Sequence, residues 1–133
     1  MLENLGKLSE TETLVMNEVW QVGGKVTVSH LLSLFEDSKG WKTSTVSTIL
    51  NRLIEKGFLT KELSGKANIY KSTLTLAEYK KHETKTFMNR IHGDNLKSFI
   101  AALVDSDVDI TGGDIAELRK WLHGETGKGE NQT

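Results

Sequence analysis

The chain has 133 residues, 37% of them hydrophobic, and a formal net charge of −1, which predicts one domain, or one domain with an appendage. No apolar run approaches the ~18 residues that a membrane-spanning helix takes, and MLENLGKLSE lacks the basic segment and apolar run of a secretory signal. Cysteine is absent, which excludes disulfides and thiolate metal ligands and fits a reducing compartment, so a cytoplasmic protein with no membrane partner is expected.

Proline is also absent, which favours continuous helices. Ser9 and Glu12 form the S-x-x-E pattern of a capping box and open the first helix. Leu14, Val15, Val19 and Val22 make its apolar stripe, with Met16 and Trp20 beside it, and Gly23-Gly24 end it. Lys25-Val26 reads as a short extended link and Thr27 as the cap of a second helix, whose apolar face is Val28, Leu31, Leu32 and Phe35. Ser38, Lys39 and Gly40 break that helix, and Trp41 plugs the corner before the next.

The third helix, Lys42 to Lys56, buries Val46, Ile49, Leu50, Leu53 and Ile54 on one stripe. Its other face carries Ser44, Thr48 and Asn51, flanked by Thr45, Ser47 and Arg52. A solvated face would more often carry Glu and Lys, which extend into water and favour helix. Short hydroxyls and an Asn let a helix approach a surface closely and still hydrogen-bond to it, as in a DNA major groove. Read alone, this face equally fits an ordinary surface helix rich in Ser and Thr.

Gly57 ends the third helix, and the hydrophobic period then changes. Phe58 to Leu63 and Asn68 to Leu74 read as two strands joined by a tight turn at Ser64-Gly65-Lys66, with Lys61 and Lys71 on the arms. Charge follows the same division: acids prevail before Lys39 and after Arg90, and between them Lys and Arg outnumber Glu55, Glu62, Glu78 and Glu83. Such a basic middle suits a polyanion, although chance clustering would look the same. Two helices and a tight turn would place the second helix in a major groove, and the hairpin would lie along neighbouring phosphates as a wing.

Thr75 or Leu76 opens a fourth helix that runs to Gly93, with Leu76, Tyr79, Phe87, Met88 and Ile91 apolar. A fifth, Asn95 to Val104, carries Leu96, Phe99, Ile100, Leu103 and Val104, and a sixth, Gly113 to Leu122, carries Ile115, Leu118, Trp121 and Leu122. These helices are too few to build a core of their own, so pairing with a second copy is expected. A two-fold dimer would match a palindromic operator. Folding back on the winged part is the other solution. Gly124 to Thr133 is polar and glycine-rich and is expected to be disordered.

No metal or cofactor is expected. His30, His82, His92 and His123 never pair at helical spacing, and His92 suits the negative end of the fourth helix. Asp105, Asp107 and Asp109 resemble the start of a calcium loop but lack its later Gly and Glu, so a solvated acidic turn is expected. No phosphate-binding or nucleophile motif supports an enzyme.

The motifs LSETETLVMNEVW, WKTSTVSTILNRLIEKGFLTKE, GKANIYKSTLTLAEY and FMNRIHGDNLKSFIAAL, in this order from Leu8 to Leu122, resemble the penicillinase repressor family, the BlaI/MecI/CopY group of winged-helix repressors. The resemblance implies a bacterial homodimer that occupies a promoter and blocks transcription until a signal releases it. Copper-responsive members carry a C-x-C…C-x-C tail, which this chain without cysteine cannot supply. β-Lactam-responsive members are cut by a signalling protease at an Asn-Phe bond, and the corresponding bond here is Ala102-Leu103. The family's Pro after the Tyr-x of the second wing strand is replaced by Ser72, which implies a looser hinge.

The expected architecture is mainly α with a small β wing: a winged helix-turn-helix DNA-binding domain over residues 1–74, a helical dimerisation region over 75–123 and a tail over 124–133. DNA contacts are expected from Ser44, Thr45, Ser47, Thr48, Asn51, Arg52, Lys61, Lys66 and Asn68. Dimer contacts are expected from Phe87, Met88, Ile91, Leu96, Phe99, Ile100, Leu103, Ile115, Leu118, Trp121 and Leu122. The alternative is a winged-helix module that docks on protein and binds no DNA.

Overall fold

The structure, a computed structural model, describes residues 4–106 and 108–124. The element order is α1 (Glu10–Gln21), β1 (Lys25–Val26), α2 (Val28–Lys39), α3 (Thr43–Glu55), β2 (Leu59–Ser64), β3 (Ala67–Ser72), α4 (Leu76–His92), α5 (Leu96–Asp105) and α6 (Gly112–Leu122). Two compact units divide between Thr84 and Lys85, inside α4. Asp107 of the acidic run and the tail from 125 lie outside the described residues.

In the first unit, Ser9 caps α1 as its spacing predicts: its hydroxyl accepts from the Glu12 N–H, and its own N–H donates to Glu12 Oε1 at 2.8 Å. Val15, Met16 and Val19 are sealed in the core, but Val22 is exposed. The helix closes at Gln21, and Val22 adopts the non-helical φ −100°, ψ 18° of the C-cap, so it leaves the stripe while Met16 enters the core. The link at Lys25-Val26 is a strand, paired antiparallel to β3 with Lys25 opposite Lys71 and Val26 opposite Tyr70. The sheet order is therefore β1-β3-β2.

Thr27 caps α2 by accepting from the His30 N–H at 3.1 Å. Ser38 and Lys39, read from sequence as part of the break, remain helical; Gly40 alone ends α2, with φ +69°. Trp41 fills the corner, its ring 4.6 Å from that of Phe35. In the hairpin, Leu59 pairs with Ser72 and Ser64 with Ala67, leaving Gly65-Lys66 as the turn.

Three aromatic rings join α1, the segment after α3, and α4. Tyr79 stacks on Trp20 at 5.1 Å and meets Phe58 edge-on at 5.6 Å. Burial, with the Glu83 carboxylate adding to it, pushes the Tyr79 phenol up to about 12. Trp20 Nε1 donates to the Leu74 carbonyl at 3.0 Å and to Ser72 Oγ at 3.2 Å, and the Ser72 hydroxyl donates to the same carbonyl. Where the resemblance implied a looser hinge, the Ser72 hydroxyl is tied to Trp20 of α1 and to the backbone of Leu74.

Glu12 is 1% exposed and meets Lys56, whose Nζ lies 2.6 Å from Glu12 Oε1 and 2.7 Å from the Lys7 carbonyl. The N-terminal segment closes over this pair: Gly6 N–H donates to the Lys56 carbonyl at 3.0 Å, and a Cβ on Gly6 would stand 2.8 Å from Lys56 Cγ. Burial pushes the Glu12 pKa up, but the Lys56 ammonium and the Ser9 hydrogen bonds outweigh it and hold the carboxyl below its usual range.

In the second unit, Asn95 caps α5 and a Thr111–Asp114 capping box opens α6. Phe87, His92 and Phe99 meet edge to face with centroids 5.1–6.2 Å apart. His92 Nδ1 lies 2.8 Å from Ser98 Oγ. No described residue of α4, α5 or α6 is buried.

Lys56→Met is expected to destabilise the first unit by about 3 kcal/mol at neutral pH, as an ionised Glu12 is left without its ammonium. Glu12 has a folded pKa below its unfolded one, so it contributes stability above the usual carboxylate range and loses it as pH falls through the folded value. In the variant, burial raises that pKa, and this stabilising contribution should vanish. Urea unfolding across pH 3–7 reads both effects, and Glu12→Gln added to Lys56→Met should recover part of the loss.

Candidate nucleic-acid interface

α3 is held by Val46, Leu50 and Leu53, all 0% exposed, and by Ile49 at 4%. With that stripe inward, Ser44, Thr45, Thr48, Asn51 and Arg52 are all exposed and Ser47 is half-buried at the margin. The structure thus brings five of the six α3 residues singled out from sequence to the exposed side of the helix and leaves Ser47 at its margin, next to the buried Val46. The Thr48 hydroxyl donates to the Ser44 carbonyl at 2.9 Å. Its proton is spent on the helix, so outward it offers a methyl group and acceptor lone pairs.

The N-terminus of α3 differs from the other helix starts. Ser9, Thr27, Thr75, Asn95 and Thr111 cap the five other helices with side-chain oxygens. Lys42, at the same position on α3, makes no side-chain cap, and the first turn holds no acid. The leading N–H groups of α3 therefore keep their donor capacity, beside a cation and at the positive end of the helix dipole. That arrangement favours an anionic oxygen from outside the chain.

On the wing, Lys61, Lys66 and Asn68 are all exposed. Lys61 pairs with Tyr70, Leu63 with Asn68, and Thr60 with Lys71. Alternation therefore places Lys61 and Asn68 on one side of the hairpin and Lys71 on the other. Lys71 is 3.4 Å from Glu62. Of the basic middle read from sequence, then, Lys56 is turned inward and Lys71 is partly neutralised. The partner of Lys56 could not be seen in the sequence, because Glu12 lies 44 positions away.

The residues expected at a dimer contact lie on the second unit. Phe87, Ile91, Leu96, Ile100, Ile115, Leu118, Trp121 and Leu122 are 37–68% exposed, and Met88, Phe99 and Leu103 are half-buried. A groove of about 570 Å³ lies between α5 and α6, lined by Ile100, Leu103, Leu118 and Trp121 together with Val104, Val108 and Ile110. Those last three were not among the expected contacts. The alternation Val108-Asp109-Ile110 was the available signal, but the neighbouring acids read as a solvated turn. Ala102 is exposed and Leu103 half-buried, both inside α5.

Among the described residues no group of three His, Cys, Asp or Glu could hold a metal ion. His30 is engaged by Glu18 across α1 and α2, at 2.6 Å. Among the described residues no helix is long and apolar enough to cross a membrane.

Residues 8–124 match the family model described as Penicillinase repressor. A protein of Latilactobacillus sakei, described as an uncharacterized 16.5 kDa protein in the ptsI 3' region, is 30% identical over 122 residues, covering 92% of this chain and 82% of its own. The penicillinase repressor of Bacillus licheniformis is 24% identical over 121 residues, 91% of this chain and 93% of that protein. The solution structure of the DNA binding domain of the repressor BlaI aligns with a TM-score of 0.48 and 25% identity, over 55% of this chain and 88% of that one.

Proposed function

The chain belongs to the penicillinase repressor family, and from that premise we propose that it is a sequence-specific DNA-binding repressor, acting as a homodimer that blocks a promoter by occupying a palindromic operator. One observation carries the reading: α3 is sealed on one side and bare on the other, and its bare side holds Ser44, Thr45, Thr48, Asn51 and Arg52 beside an uncapped N-terminus. In this reading α3 enters the major groove. Thr48 meets a thymine methyl or a base amino group, the two partners suited to a methyl and a lone pair. Asn51 and Arg52 fix register at the backbone, and Ser47 lies at the edge of the contact. Lys61, Lys66 and Asn68 meet phosphate and supply affinity without sequence information.

The homodimer is supported by the second unit, where apolar side chains line a groove and none is buried. Pairing would cover them and space two α3 helices for two half-sites. A module that docks on protein is the weaker reading, because the bare side of α3 shows no Leu, Phe or Tyr to anchor a partner. Release of the operator by cleavage at Ala102-Leu103 would require a protease that accepts this bond in place of Asn-Phe. The inclusive test is footprinting on the DNA upstream of the chain's own gene: a protected palindrome supports the reading, and no protection above that of random DNA removes it.

Thr48→Ala should weaken operator binding by about 1–3 kcal/mol and leave non-specific binding unchanged. Alanine favours an exposed helix position, so stability should not fall with affinity; equal loss on operator and random DNA would assign Thr48 a positional role only. Lys66→Ala should reduce the slope of log affinity against log salt by about one unit, measured by fluorescence anisotropy across a salt series. Leu118→Asp, which places a charge in the α5–α6 groove, should halve the mass in sedimentation and lower operator affinity, since the second half-site is then no longer bound by a linked copy.

A further inference from the structure

We propose that Leu63 belongs to the DNA-contacting surface and seats against the deoxyribose C–H groups of the backbone beside the groove entered by α3, an inference that rests on the DNA-binding reading above. Leu63 is 72% exposed, more than any other large apolar side chain among the described residues. It lies in β2 near the wing tip, opposite Asn68. On its side of the hairpin the inner positions are Leu59, 1% exposed, and Tyr70, 5% exposed, which close the core of the first unit. The hairpin continues beyond that core, and the same side runs out into solvent with Leu63 on it.

What surrounds Leu63 selects the partner. Lys61 and Asn68 share its side, and Lys66 stands in the turn. The acid of β2, Glu62, is on the opposite side with Lys71. The overhang thus joins one apolar group to cations and a hydrogen-bonding amide, with no acid on that side. A nucleic-acid backbone has the complementary pattern: phosphates separated by sugar rings whose C–H faces are apolar. Lys61 and Lys66 meet the phosphates, and Leu63 covers the sugar between them. Its contribution is removal of apolar surface from water, so it differs from that of the lysines in being independent of salt.

The test uses the full chain and a duplex that it selects from a random pool, with and without the base pairs flanking the selected site on the wing side. On the flanked duplex, Leu63→Ala should bind roughly fivefold more weakly, with the salt slope unchanged because no charge is removed. On the trimmed duplex, Leu63→Ala and the unaltered chain should bind alike, and Leu63→Met should keep most of the affinity on both. Unaltered affinity of Leu63→Ala on the flanked duplex, equal losses on both duplexes, or a loss as large for Met as for Ala overturns the proposal. A Leu63→Ala chain whose sedimentation mass changes shows that a second copy covers Leu63, which also overturns it. If the unaltered chain selects no duplex, the DNA-binding reading itself fails, an outcome distinct from the failure of Leu63 alone.

Discussion

The side of α3 that faces solvent is set by the side that does not. Val46, Ile49, Leu50 and Leu53 are at most 4% exposed, and each such side chain contributes on the order of 1.5–3 kcal/mol when fully buried. Turning α3 to hide Ser44, Thr48 and Asn51 would expose that stripe and leave hydroxyls and an amide inside without partners. The polar side is therefore held outward before any ligand arrives. Association then loses little to ordering, which is the main advantage of presenting recognition groups on a packed helix instead of a loop.

The two units solve the problem of burial differently. In the first, helices, sheet and Tyr79 of α4 close around Phe58 and Trp20, and one chain suffices. In the second, caps and hydrogen bonds are in place at Asn95 and Thr111, yet Ile100, Leu118 and Trp121 stay in contact with water. Local structure is specified there, and the apolar side chains of the unit are not closed into a core within it. α4 takes part in both, giving Tyr79 to one unit and Phe87 to the other.

Features that repeat at helical spacing were legible in the sequence: the stripe of α3, the caps at Ser9 and Thr27, the plug at Trp41. Each is decided within a few residues, where periodicity and capping chemistry act. Features that depend on contacts between distant positions were not. Glu12 was readable as half of a capping box, but its ion pair with Lys56 comes from the way α1 crosses the end of α3, and no local pattern encodes it. The same applies to Ser72, where the loss of an expected proline suggested slack and the tertiary partner Trp20 supplies a tie instead. Val22 departs from the helical stripe for a local reason: α1 ends at Gln21, and the C-cap turn carries Val22 out to solvent.

Charge on the candidate interface is smaller than composition implied, and that bears on how the chain can act. With Lys56 turned inward and Lys71 beside Glu62, the cations left on α3 and the wing are Lys42, Arg52, Lys61 and Lys66. If each met one phosphate, log affinity would fall with log salt at a slope of only about −3.6 for one copy. Such a grip is weak at physiological salt and leaves discrimination to the short side chains of α3. Joining two copies through α5 and α6 would double the phosphate contacts and make the second half-site an intramolecular encounter. In the proposed dimer, one and the same pairing would offset the sparse charge of the first unit and cover the apolar side chains of the second.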